Sequence, residues 1–136
     1  MKDTVHGISI FAGAILGFCF GEITGLFKAL IFMMCIDYVT GWIKAIYLRE
    51  LSSAAGFKGI AKKIMILCLI AICHIIDEHV IGDKSIIMSA ALMFYVGNEG
   101  ISILENAVLI GIPVPEVLKK ALKQLTDIGK VEDKGE

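Results

Sequence analysis

Charge is scarce in this chain. Only 20% of its 136 residues are Asp, Glu, Lys or Arg, and they sum to a formal net charge of -1. Without a basic surplus there is no electrostatic footprint for nucleic acid. Signatures of catalysis are missing too. There is no nucleophile elbow, phosphate loop or zinc-hydrolase motif, and the polar stretches are too short to build a catalytic pocket, so no enzymatic activity is expected. The four cysteines, Cys19, Cys35, Cys68 and Cys73, form no CxxC pair and no even spacing. That excludes a secreted disulfide framework and a zinc site, and they read as small packing residues in apolar runs. Cys73, His74 and His79 are not spaced as a ligand set, so neither a metal nor another cofactor is expected. No A-x-A-like cleavage pair follows the stretch from Ile8 to Phe20, although Lys2 precedes it. The first apolar segment is therefore expected to stay attached as a span.

What the sequence has is apolar surface. Hydrophobic residues make up 57% of it, and its mean hydropathy is +0.79. A single small water-soluble core has too little interior for that much apolar area, and a bilayer supplies the missing interior. Four segments have helical length and composition: about Val5 to Phe20, Leu26 to Leu48, Gly59 to Ile76, and Ile86 to about Ile112. The second matches a hydrocarbon core of about 30 Å best. The first is short enough to be either a span or an interfacial helix. The third has a short apolar run, Ile64 to Ile76, and reaches span length if Lys62 and Lys63 snorkel outward. Pro113 and Pro115 close the fourth, since proline cannot continue a helix. After them, Val117, Leu118, Ala121, Leu122 and Leu125 have the spacing of a short amphipathic helix. The expected fold is all-α, an integral membrane protein with three to four transmembrane helices in residues 1–112 and a cytoplasmic tail, residues 113–136, carrying that helix.

Charge placement sets the orientation. Lys44, Arg49, Lys58, Lys62 and Lys63 flank the connection between the second and third segments against Glu50 alone, whereas the turn from Asp77 to Lys84 is acidic. By the positive-inside rule the basic loop with Lys58, Lys62 and Lys63 faces the cytoplasm, and so does the C-terminus. Lys119, Lys120 and Lys123 of the tail are then placed to approach anionic headgroups and tune timing.

Polar residues inside the apolar segments are the candidate functional positions. A carboxylate at the middle of the second span, Asp37, is costly in lipid and needs a partner or water. Gly41 and Lys44 follow on its face, which should look into a bundle or an aqueous lumen. In the fourth span Asn98, Ser102 and Glu105 share a face and Glu99 is one position away. Equal depth makes a Lys44 to Glu99 pair geometrically possible, while Glu105 and Asn106 are expected at the membrane interface. Gly13, Gly17, Gly21 and Gly25 recur every four residues and on one continuous helix would form a single association face; on the turn reading Gly21 and Gly25 flank Glu22-Ile23-Thr24 and leave Gly13 and Gly17 as the GxxxG pair. There is no inverted repeat and no broken-helix pattern, which argues against alternating-access transport.

Three ordered blocks carry a resemblance: D-Y-x-T-G at Asp37 to Gly41, S-x-x-G-x-K-G-x-x-K-K at Ser53 to Lys63, and N-E-G-x-S-x-x-E-N at Asn98 to Asn106. Over roughly Gly21 to Leu125 the chain closely resembles the phage lysis and toxin-secretion holin family of Gram-positive bacteria and their phages. The resemblance implies a small protein of the host cytoplasmic membrane that forms a homo-oligomer and opens lesions through which endolysin, or a large toxin, reaches the cell wall. It assigns no catalytic role to these positions. A small ion channel or transporter, or a non-conducting scaffold, is the alternative.

Overall fold

The computed structural model describes residues 1–82 and 85–133, with side chains to residue 130. Five helices follow in order: α1 (Lys2–Phe20), α2 (Gly25–Tyr47), α3 (Ser53–Ile76), α4 (Ile86–Leu109) and α5 (Glu116–Asp133), with no strand among the described residues. Asp83 and Lys84 of the acidic turn lie outside the described residues.

Local chemistry sets the helix ends. Gly21 closes α1 with φ 62°, a left-handed conformation that costs glycine little. Thr24 then opens α2 by accepting the Phe27 N–H on its hydroxyl, so Gly21 and Gly25 are boundary residues, as the turn reading expected. Ser52 caps α3 in the same way, accepting from Ala55. That cap starts α3 six residues before Gly59, and the added turns give it span length. Lys58, Lys62 and Lys63 therefore stand on a helix rather than in a loop. At its far end α3 widens into a π-helical turn, Asp77–Ile81. There Asp77, only 2% exposed, accepts the backbone N–H groups of Ile87 and Met88 at 3.1 and 2.7 Å. The cap of α4 is thus supplied from the preceding helix, while Ser85, just before α4, makes no capping bond.

Helices α1 to α4 are each long and apolar enough to cross a membrane. Helices α2, α3 and α4 pack together, α1 touches α3, and α5 lies along α4. The packing changes character along the bundle. Near the Gly25 end, Phe27, Leu30 and Met34 of α2 meet Ile66 and Ile70 of α3 and Met88, Leu92 and Val96 of α4 in one apolar cluster. Their i, i+3, i+4 and i+7 spacings put each set on one helix face. Toward the Tyr47 end this core gives way to polar side chains. Large apolar residues face outward on every spanning helix, among them Ile10, Phe32, Met65 and Ile86. That is the surface a bilayer covers.

No residue of α1 is buried. It meets α3 near Gly21, where a Cβ would come within 2.5 Å of the His74 ring, and where Phe18 lies 6.0 Å from the His79 ring. His74 Nε2 is 2.9 Å from Glu78 Oε2 one turn on. Gly13 and Gly17 have nothing within 4 Å of where a Cβ would stand, so their strip is open in the protomer.

Candidate functional site

Three charged residues meet between α2, α3 and α4. The Lys63 ammonium donates to Asp37 Oδ2 at 2.7 Å and to Glu99 Oε2 at 2.5 Å. Asp37 stands ten residues before Tyr47, Lys63 ten after Ser53 and Glu99 ten before Leu109. At about 1.5 Å per residue all three lie about 15 Å from the same end of the bundle, halfway through a hydrocarbon core of about 30 Å. Glu99 is 3% exposed, which leaves it no route to bulk water except through its partners. A lone carboxylate at that depth is costly, and pairing with hydrogen bonding makes it tolerable.

The network extends toward the Tyr47 end. Asn106 Nδ2 donates to Thr40 Oγ1 at 3.0 Å and to Asp37 Oδ1 at 3.4 Å, and the Thr40 hydroxyl donates to the Asp37 backbone carbonyl. Glu99, Ser102 and Asn106, spaced i, i+3 and i+7, share the face of α4 that looks at α2. Beside this network a cleft of about 330 Å³ runs inward from the α2–α3 connection to Asp37 and Lys63, walled by Trp42, Lys44, Ser102 and Asn106. Most of its wall is apolar, but Asp37, Lys44, Lys63, Ser102 and Asn106 contribute polar groups to it, and it is roomy enough to hold water. With all three groups ionised the cluster keeps one uncompensated negative charge, and Lys44 on the cleft wall is a nearby cation.

The expected positions are therefore partly brought together. Asp37, Gly41 and Lys44 do share a face that looks into the bundle, and Gly41 approaches Asn106, whose Nδ2 would be 4.0 Å from a Cβ there. Glu99 is inside, yet its partner is Lys63 and not Lys44. Lys63 reaches inward rather than snorkelling out, while Lys58 and Lys62 remain exposed. Asn106, expected at the interface, is 7% exposed and belongs to the cluster. Glu105 is exposed and Asn98 half-buried, so neither joins the network. The missed signal was the Glu99, Ser102, Asn106 spacing, which defines a polar face as regular as the apolar ones.

The other close contact is between α4 and α5. A Cβ on Gly97 would fall 2.5 Å from Thr126 Oγ1 and 2.7 Å from the Leu122 carbonyl, one on Gly100 would meet the Leu122 side chain at 2.6 Å, and one on Gly129 would meet Phe94 Cβ at 2.6 Å. These glycines let the two helix backbones approach. Thr126 is buried with its hydroxyl returned to the Leu122 carbonyl at 3.2 Å, and Lys130 lies over the Phe94 ring at 5.9 Å.

Four apolar helices, three of them enclosing a hydrogen-bonded charged centre, define a polytopic α-helical membrane protein. Comparison with known sequences narrows this class: residues 14–127 match the model of the bacteriophage holin family, and the chain belongs to that family. An uncharacterized protein of Listeria monocytogenes is 51% identical over 81% of this chain and 78% of its own. One from Clostridium perfringens is 36% identical over 87% of each. A protein of Bacillus phage phi105 named as a probable holin is 32% identical over 77% of this chain and 76% of its own. No solved structure matches the chain.

Proposed function

We propose that this protein accumulates in the bacterial cytoplasmic membrane, oligomerises and opens lesions through which an endolysin or a large toxin reaches the cell wall. The observation that carries this reading, within a holin family member, is the Asp37–Lys63–Glu99 cluster at mid-membrane depth with a hydratable cleft leading to it. Such a centre is stable while paired inside one protomer. It also gives an assembly polar groups around which water can enter the membrane. The Tyr47 end, with Arg49, Lys58 and Lys62 exposed on or beside it, is the cytoplasmic end by the positive-inside rule. This puts Pro113 and the start of the tail on that side, and puts the N-terminus there too if α1 crosses. The unpartnered Gly13 and Gly17 strip of α1 is available to a second copy. An endolysin need only pass, without contact.

Induction in a bacterium with and without a co-expressed cytoplasmic endolysin tests the function. Growth arrest alone and abrupt lysis only with the enzyme is the expected result. Saturable, ion-selective flux with no release of the enzyme indicates a channel or small transporter instead, and an unchanged membrane indicates a scaffold.

A further inference from the structure

We infer that α5 is the wall of the lesion, docked along α4 with its charged face turned to water at membrane depth, instead of a helix resting on the headgroups. The inference rests on the lesion reading and deepens it. Its starting point is how far up α4 the helix reaches. A helix lying on the membrane surface could touch only the last turn of α4. Gly129 instead packs against Ala90 and Phe94, near the start of a helix that runs from Ile86 to Leu109, and Thr126 packs at Gly97, close to the level of Glu99. The contact is built for this register, with glycines at 97, 100 and 129 where the backbones meet and a buried hydroxyl that bonds within its own helix.

The rest of α5 divides into two further sectors. At about 100° per residue, Glu116, Lys119, Lys120, Lys123, Asp127 and Lys130 fall within roughly 100° of one flank, and all are exposed. Val117, Ala121 and Ile128 fall on the opposite flank, with Val117 80% and Ile128 46% exposed. Docked on α4, then, one side of α5 suits water and the other suits lipid or a neighbouring protomer. Lys123 and Asp127 lie near the depth of the charged cluster, where a lipid-facing charge is not tolerated. The docked arrangement is therefore compatible with a membrane only where an aqueous space runs alongside α5. Four lysines against two acids make that wall net positive.

The test uses the full chain with Cys19, Cys35, Cys68 and Cys73 replaced by alanine and with Phe94→Cys and Lys130→Cys added. It is reconstituted in phosphatidylglycerol–phosphatidylethanolamine vesicles loaded with a fluorescent dextran. A short, reducible bifunctional thiol reagent should bridge the two cysteines in leaking vesicles, and dextran release should be equal before and after the bridge is cut. Failure to bridge in leaking vesicles, or a bridge that blocks release until it is cut, overturns the assignment. Separately, the parent lesion should prefer anions in a KCl gradient, and Lys123→Glu should shift the reversal potential toward the cation side. An unmoved potential overturns the assignment as well. If the parent chain releases neither dextran nor ions, the lesion reading itself fails, a result distinct from leakage with α5 undocked.

Discussion

Removing the one cation of the charged centre is the sharpest perturbation the structure offers. Lys63→Met keeps the aliphatic stem and leaves Asp37 and Glu99 facing each other without the ammonium that both accept from at 2.5–2.7 Å. Deleting one partner of a buried ion pair costs about 3–5 kcal/mol. Here the Asp37 side chain keeps 16% exposure and Glu99 only 4%, and the cleft can bring water to Asp37, which favours the lower end. About 3 kcal/mol is roughly a hundredfold change in the folded-to-unfolded ratio. Trp42, the single tryptophan, lies on the cleft wall and reports on unfolding by dodecyl sulfate in mixed micelles. Lys63→Met should lower the unfolding midpoint by that equivalent. The triple variant Lys63→Met, Asp37→Asn, Glu99→Gln should recover most of it, because no charge is then left unpaired. An unfolding curve for Lys63→Met that overlays the parent would refute the claim that this pairing stabilises the bundle.

Further outcomes follow from other contacts. Asp37→Asn, which keeps size and hydrogen bonding but removes charge, should insert and accumulate normally yet trigger late or not at all, with altered cross-linked oligomers. Gly41→Leu fills the cleft beside Asn106 and should also delay lysis. Normal lysis timing by both variants, at matched membrane levels, would remove function from this face. Asp77→Ala takes away the acceptor for Ile87 and Met88 and should cost about 1–2 kcal/mol, read as faster amide exchange in the first turn of α4; unchanged exchange there would contradict the capping role. Gly97→Ala places a Cβ against Thr126 and should displace α5, so thiol bridging between positions 94 and 130 should fall sharply while membrane insertion stays normal.

Hydropathy alone determined that this chain is a helical membrane protein with four apolar segments, because span length and composition are properties of contiguous residues. The boundary roles of Gly21 and Gly25, and the proline stop after α4, were legible for the same reason. So was the placement of Asp37, Gly41 and Lys44 on one inward face, since helical spacing fixes which residues of one helix point together. Partners on other helices were not legible. Depth made Lys44 a reasonable mate for Glu99, yet α3 begins at Ser53 and packs beside both α2 and α4, which carries Lys63 to the same level and turns it inward. The cap that Asp77 gives to α4 spans a turn whose geometry no local pattern encodes. The amphipathic spacing of α5 predicted a helix with one apolar face, but the tertiary structure seats only Leu122 of that face at Gly97 and Gly100, together with Thr126, and leaves Val117 and Ala121 outside the contact, because whether two backbones can approach depends on which small residues come opposite each other in space.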